Sequence, residues 1–149
     1  MQNKNRGAAM VEFALVVPFF FMLMCSIIYG ALVMLDINNL NDLTRDAARY
    51  GAVQNSGIDN EEKRQNVIKY IAAHDNNVLV VYNIVDTQIE VNTDVDIKLN
   101  ADDTTNTEKG VRVTVPAKLK DDLPAFLFTD YLPDSMKTIS STITMRRED

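Results

Sequence analysis

The residue types that most often carry out catalysis or hold metals are scarce in this sequence. It contains one histidine, His74, and one cysteine, Cys25. A catalytic or metal site needs several converging groups of this kind. His74 falls at the end of a helical pattern, where a capping or surface position is expected, and a single cysteine can form neither an intramolecular disulfide nor a Cys-rich zinc site. We therefore predict that the protein is not an enzyme and that it uses no cofactor or metal.

One polar segment has enough oxygen atoms to be considered for calcium. Residues 102–108 read Asp-Asp-Thr-Thr-Asn-Thr-Glu. An EF-hand loop has alternating acidic residues and a central glycine, and this segment has neither feature. The sequence therefore predicts a polar loop here. A Gly-rich phosphate loop and a basic patch with interleaved aromatic residues are also missing from the sequence.

The charge of the chain excludes one class of partner. The formal net charge is −6 at pH 7, and it would become more negative if Lys4 and Arg6 were removed with a leader. Proteins that bind nucleic acid need a basic face to neutralise phosphates. We therefore predict no nucleic-acid partner.

An uncharged stretch near the N-terminus predicts a membrane helix. It runs from Phe13 to Leu35 and would be about 34 Å long as a helix, whereas the hydrocarbon core of a bilayer is about 30 Å thick. Lys4 and Arg6 precede this stretch and Asp36 follows it. Because the flank richer in Lys and Arg stays in the cytoplasm, we expect a cytoplasmic N-terminus and an exported C-terminal domain.

Two other interpretations of this stretch are weaker. It is too long for the core helix of so small a domain, and it is longer than the apolar region of a cleaved secretion signal. Cys25 also follows Met24 and Leu23, not the small residues of a lipoprotein cleavage site. Glu12, at the head of the apolar run, fits neither interpretation, since a carboxylate there is costly unless something pairs with it.

Residues 6–18, RGAAMVEFALVVP, resemble the N-terminus of type IV pilin-like proteins. The resemblance is closest to the TadE-like minor pilins, or pseudopilins, of tight-adherence (Flp) pili. A glycine closes a basic leader, a glutamate stands fifth after it, and an apolar helix follows. Residues 46–52 and 141–148 look similar to the same family, whereas residues 55–135 show no such similarity. The length of the chain favours a minor subunit, since major pilins of this system are much shorter.

The resemblance implies a processing site and a pairing residue. A membrane-embedded prepilin peptidase would cleave after Gly7, so that the mature chain begins at Ala8. Glu12 would face the N-terminal amine of a neighbouring pilin, which offsets a charge that would otherwise cost several kcal/mol. The partners implied are the peptidase, other pilins and the pilus assembly machinery. The location implied is the bacterial inner membrane, or the pilus fibre.

Three functional hypotheses follow from the sequence. The first is a minor pilin that enters or primes a fibre. The second is a membrane-tethered periplasmic binding module that keeps its N-terminal anchor. The third is a membrane-anchored hydrolase, which the scarcity of catalytic groups disfavours.

The membrane helix is predicted to continue into the exported part. Apolar residues recur at helical spacing as far as Gly51, a residue type that commonly ends helices. Pro18 cannot donate a hydrogen bond to the carbonyl of Ala14, so we expect a kink or local melting there. The predicted organisation is a leader at residues 1–7, a transmembrane and stalk helix at residues 8–51 with its membrane span at residues 13–35, and a globular domain at residues 52–149.

The globular domain is predicted to contain a second helix and a small antiparallel sheet. Asp59, Glu61 and Glu62 suit the start of a helix that ends near His74, with Val67, Ile68, Ile71 and Ala72 buried. Alternating apolar residues predict strands at residues 78–85, 89–99, 111–115 and 139–145, with a loop at residues 102–109. The apolar segment at residues 123–133 is either a lid on the core or a subunit contact. The expected fold class is α+β, with the long N-terminal helix packed on the sheet.

Overall fold

A computed structural model of the chain describes residues 3–54, 57–74, 79–98, 107–123 and 132–147, with only the backbone of residues 3–6. Three helices and four strands are described, together with a turn of 3-10 helix at Asp86–Gln88. In chain order these elements are α1 (Asn3–Val53), α2 (Asn60–His74), β1 (Tyr82–Ile84), β2 (Glu90–Lys98), β3 (Thr107–Leu119), α3 (Asp134–Lys137) and β4 (Thr138–Arg146).

Strand β3 is the centre of the sheet, and all its pairings are antiparallel. One side of β3 pairs with β2 and then with β1, while the other side pairs with β4 over residues 110–118. Helix α1 packs on β3 and β4, and α2 packs on α1 and β2. The predicted α+β fold, with a long helix on a small antiparallel sheet, is therefore confirmed.

The core lies between α1 and the sheet. It is formed from small and medium apolar residues that include Leu40, Leu43, Ala47, Ala48, Ala52, Val67, Ile71, Val111, Val113 and Val115. Ala47, Ala48 and Ala52 of α1 have little or no exposed area, so this part of the helix backbone approaches the sheet closely. The apolar helical periodicity that starts after Asp36 thus corresponds to a real buried stripe.

Gly51 has a different role from the one predicted. Helix α1 continues past it to Val53, and Gly51 does not have the left-handed backbone of a helix-ending glycine. A Cβ atom at this position would lie 3.0 Å from Cγ2 of Val67 and 3.2 Å from Cγ1 of Val111. Gly51 therefore lies where α1 packs closely against α2 and β3, and the prediction that it ends the helix is wrong.

Helix α2 agrees with the prediction except at one position. It runs from Asn60 to His74, with Glu61 and Glu62 in its first turn and Val67 and Ile71 buried. Ile68 is partly buried against the core. Ala72 is exposed, because it lies one position beyond the stripe that faces α1.

Two strand predictions need correction. The strand expected at residues 78–85 is limited to Tyr82–Ile84 within the described residues, because the N–H groups just before it bond to a side chain of α1. Strand β3 begins at Thr107, so residues 107–109 are strand and not loop. Strands β2 and β4 lie where they were expected, and α3 was not predicted.

Two predicted segments lie mostly outside the described residues. The calcium-like segment is described only at Thr107 and Glu108, which belong to β3. The apolar segment at residues 123–133 is described at Leu123, Leu132 and Pro133, and Leu123 packs against the core.

Candidate functional site on the N-terminal helix

The predicted processing site lies in an exposed part of α1. Gly7 and Ala8 are both exposed, and a Cβ atom added to Gly7 would meet nothing within 4 Å. Since α1 begins at Asn3, the backbone around Gly7 is helical. A peptidase binds its substrate in an extended form, so cleavage at the predicted site would require local unwinding. Glycine eases this step, because it is about 1 kcal/mol less favourable than alanine in a helix.

Glu12 is exposed one turn after the predicted processing site, between the exposed apolar residues Val11 and Phe13. Within the described part of the chain it makes no ion pair or hydrogen bond. A partner for this carboxylate is therefore not supplied by the described residues of the same chain.

The first part of α1 has the surface of a membrane segment. Nearly every large apolar side chain from Met10 to Ile28 is exposed. Among the described residues, one helix is long and apolar enough to span a bilayer, and none of its most apolar window is buried. A core helix would be buried, so this exposure supports membrane anchoring. The helix is continuous through Pro18, so the expected local melting is absent, and a kink there stays a prediction.

The globular domain contacts α1 before the end of the predicted membrane span. Tyr29, Leu32 and Val33 are partly buried against the core, although they lie within the uncharged stretch at residues 13–35. The part of α1 that precedes these contacts, residues 7–28, is about 33 Å long. This length alone is sufficient to cross the hydrocarbon core.

Asp36 forms the junction between α1 and the domain. Its side chain is fully buried, and its carboxylate accepts three backbone N–H groups. One oxygen accepts from Val80 at 2.8 Å, and the other accepts from Val81 at 2.6 Å and Tyr82 at 3.0 Å. Hydrogen bonds to an ionised carboxylate are roughly twice as strong as neutral ones. Asp36 therefore ties the segment at residues 79–82 to the stalk helix.

Sequence reasoning treated Asp36 only as a charge flanking the membrane. One signal could have identified it as a buried residue. Asp36 lies four residues before Leu40, which places it on the same apolar stripe of the helix. A carboxylate at such a position needs a set of donors, and here the donors come from a distant loop.

The segment at residues 79–82 is also held from the other side. Nζ of Lys120 donates to the carbonyl of Leu79 at 2.9 Å, and the backbone N–H of Lys120 donates to the carbonyl of Val81 at 3.0 Å. Residues from α1 and from the end of β3 thus fix one short loop. The junction between stalk and domain is consequently a rigid arrangement.

Tyr82 completes this junction. Its side chain is 1% exposed, and its hydroxyl donates to the carbonyl of Met136 in α3 at 2.8 Å. Burial raises the pKa of Tyr82 to about 12, with further contributions from the neighbouring Tyr29 and from the charge of Asp36. The hydroxyl of Tyr29 is buried and makes no well-formed hydrogen bond within the described residues.

A shallow pocket of about 360 Å³ lies on the other side of α1, near its C-terminal end. It is lined by Asp46, Arg49, Tyr50, Val53, Gln54 and Tyr70. Tyr70 stacks between Tyr50 and His74, with ring centroids 4.8 Å and 4.2 Å apart. The amide atoms of Gln54 are buried without a hydrogen-bond partner among the described residues. No three His, Cys, Asp or Glu side chains cluster in the described part of the chain.

These features define a small α+β domain built on a long N-terminal helix that also carries an apolar, membrane-type segment. A stalk helix has an exposed apolar half suited to a membrane, and its other half forms the core of a small α+β domain. Residues 7–49 match the family model described as TadE-like protein, so the resemblance predicted from the sequence is confirmed over these residues. This segment of the chain is therefore similar to TadE-like proteins. Comparisons with curated proteins and with solved structures gave no match.

Proposed function

We propose that this chain is a minor pilin, or pseudopilin, which takes part in assembling a tight-adherence type IV pilus. The observation that carries this proposal is the position of the TadE-like match. Residues 7–49 begin at the predicted cleavage glycine, include the exposed apolar helix and end where α1 is packed in the domain core. The role proposed is structural and not catalytic.

In this proposal the chain is made as a precursor and inserted across the inner membrane. Lys4 and Arg6 keep the N-terminus in the cytoplasm, and the domain lies on the periplasmic side. A prepilin peptidase cleaves after Gly7. The exposed position of Gly7 and the low helical preference of glycine support cleavage at this bond.

Cleavage would create a free amine on Ala8, and Glu12 is proposed to pair with the same amine on a neighbouring pilin. The support is the exposure of Glu12 next to apolar residues, with no partner in the described part of its own chain. An unpaired carboxylate at the membrane boundary is unfavourable by several kcal/mol. Pairing between subunits would therefore favour one axial register.

Intact-mass analysis of the full-length protein extracted from membranes tests the proposal. The expected mass corresponds to a chain that begins at Ala8, and the matched control is the same strain without its prepilin peptidase, where residues 1–7 should be retained. A chain that keeps residues 1–7 in cells with an active peptidase would contradict the assignment as a processed pilin.

A membrane-tethered binding module is the second candidate. The observation that favours it is the pocket beside Tyr50 and Tyr70, which contains the unpartnered amide of Gln54. Such a module would keep its leader and would be stable in the membrane without other pilins. The same mass measurement therefore separates the two candidates.

A further inference from the structure

Strand β4 forms an edge of the sheet, and its outer side pairs with no other described strand. The N–H of Arg147 donates to the carbonyl of Lys109 at 3.0 Å, so these opposite residues form a hydrogen-bonded pair. Such pairs alternate along an antiparallel ladder, and the odd-numbered residues of β4 therefore bond to β3. The backbone groups of the even-numbered residues point to the open side: Thr138, Ser140, Thr142, Thr144 and Arg146.

A proline supports this alternation independently. Pro116 of β3 lies opposite Ser140, and proline has no N–H to donate. Its carbonyl accepts the N–H of Val85 at 3.0 Å, on the side of β3 away from β4. Ser140 therefore has no backbone partner on β3, as the ladder requires.

The two edges of the sheet differ in protection. Soluble proteins usually protect edge strands with charges, prolines or bulges. The edge strand β2 carries Glu90, Asp94 and Asp96, and its register shifts between Asn92 and Val95. Strand β4, in contrast, is uncharged from residue 138 to residue 145, contains no proline and pairs with β3 without a shift. Within the described residues, the edge at β2 is protected and the edge at β4 is open.

The core-facing side chains of β4 indicate that the apolar surface continues beyond this strand. Ile139, Ile143 and Met145 are only partly buried, although the residues opposite them on β3 are exposed by 1% or less. Another strand beside β4 would cover this row with its own side chains. The free backbone groups of β4 and its partly buried side chains thus both favour the addition of another strand at this edge.

We infer that the open edge of β4 binds an extended segment of a different exported protein, which adds to the sheet as a further strand. Inward side chains of the segment would be apolar, to cover Ile139, Ile143 and Met145. Outward side chains of the segment would be small or polar, because they would lie beside the Ser and Thr row of β4, which consists of Thr138, Ser140, Thr142 and Thr144. This mode of recognition uses main-chain hydrogen bonds for affinity and alternate side chains for specificity. The inference rests on the proposed membrane anchoring and export.

A second copy of this chain cannot add its own β4 strand antiparallel to the first β4. Two antiparallel β4 strands in one continuous sheet are related by a two-fold axis perpendicular to that sheet. Helix α1 lies on the sheet face over β3 and β4, so this axis would reverse its direction in the second copy. The two apolar N-terminal segments would then point in opposite directions and could not enter the same membrane.

The other self-pairings are also disfavoured. A parallel pairing of two β4 strands turns one copy over, which places its Ser and Thr row beside the apolar row of the other copy. Pairing of β4 with β2 of a second copy keeps the faces matched, but it uses the edge that is protected by Asp94, Asp96 and the register shift. Since the described strands of a second copy are disfavoured in each arrangement, a different chain is the occupant that the described part of the structure favours.

Photo-crosslinking in pilus-producing cells tests the inference. A photoreactive residue replaces Thr142 in the full-length chain, and the matched control carries it at Asn92, an exposed position on β2. The expected product is a crosslink from position 142 to one extended segment of another exported chain, identified by peptide mapping. The control at position 92 should give no crosslink to that segment.

A second set of variants, with the photoreactive residue at position 144, tests whether the backbone of β4 is used. Thr142→Pro removes an N–H that points to the open edge, and Thr142→Val keeps it. The crosslink yield should fall by about tenfold or more in the proline variant and stay near wild type in the valine variant. If Thr142→Pro lowers the melting temperature strongly, Ser140→Pro replaces it, since the N–H of Ser140 is also unused by β3.

Several results would overturn the inference. In the first experiment, these are a crosslink to a second copy, a crosslink within the chain to residues 124–131, or no crosslink above the control. In the second experiment, the contradicting result is an equal crosslink yield in the proline and valine variants. Intact mass measured on the same cells separates this inference from the proposed function. A processed chain without the crosslink contradicts only the docking inference, and an unprocessed chain with the crosslink contradicts only the pilin assignment.

Discussion

The carboxylate of Asp36 accepts the backbone N–H of Val81 at 2.6 Å, across 45 positions of sequence. Asp36 directly follows the long uncharged stretch of α1, and Val81 is fully buried in the domain core. One side chain thus joins the end of the apolar helix to the centre of the globular domain.

Replacement of Asp36 should destabilise the domain. Asp36→Ala leaves the N–H groups of the buried Val81 and Tyr82 and of the more exposed Val80 without an acceptor, and we expect the free energy of unfolding to fall by about 3 kcal/mol. Denaturant unfolding of the full-length protein in detergent measures this change. Asp42→Ala is the matched control, because Asp42 is exposed on the same helix, and its effect should be within about 0.5 kcal/mol. Equal effects of the two substitutions would show that the junction does not depend on Asp36.

Tyr82 should make stability depend on pH in the alkaline range. Its pKa is raised from 10.0 to about 12, chiefly by burial, so the folded state binds the phenolic proton more tightly than the unfolded state does. The stabilisation is therefore fully present below pH 10 and is lost as the pH rises towards 12. We expect the free energy of unfolding to fall over this range in the wild type and to fall less in Tyr82→Phe. Identical slopes for the two proteins would contradict the raised pKa.

A methyl group at Gly110 should be poorly tolerated. A Cβ atom there would lie 2.7 Å from the backbone oxygen of Met145 and would overlap the side chain of Ile97. Gly110→Ala is expected to lower the free energy of unfolding by about 2 kcal/mol. Gly57→Ala is the control, since a Cβ atom there meets nothing within 4 Å. A melting temperature of Gly110→Ala equal to that of the control would refute the predicted crowding.

Glu12 provides a test of subunit pairing. Glu12→Val makes the apolar segment more apolar, so membrane insertion and cleavage after Gly7 should stay intact. Incorporation with other pilins should fall sharply, because the amine of the neighbouring chain loses its partner. Co-purification of the mature variant with the other pilins, together with counts of surface pili, measures this loss. The control is Val11→Leu, which changes an adjacent exposed apolar residue without altering charge. Wild-type levels of both readouts in Glu12→Val would show that Glu12 is only a flanking charge.

Much of the fold follows from local patterns in the sequence. The helical spacing after Asp36 and the alternation in β2, β3 and β4 each reflect which side chains face the core, and this information lies within a few neighbouring residues. The features that escaped prediction depend on distant contacts. The segment before β1 is not a strand because its N–H groups bond to Asp36, which lies 44 to 46 residues away.

Gly51 shows a second limit of local patterns. Glycine is favoured both after the last turn of a helix and where two backbones approach closely, and the sequence around Gly51 is compatible with either role. Only the positions of Val67 and Val111 decide between them. At the N-terminal site, the roles of Gly7 and Glu12 stay predictions that rest on the resemblance of residues 6–18 to pilin-like N-termini.

The arrangement around Asp36 also has a mechanical consequence. A pulling force on the globular domain would pass into α1 through a helix that is continuous from the domain core to the apolar segment. At Asp36 this force would also act on three hydrogen bonds to one carboxylate, which join the helix to the segment at residues 79–82. Tension on the domain would therefore reach the membrane end of the stalk through one continuous helix and the carboxylate that joins it to the core.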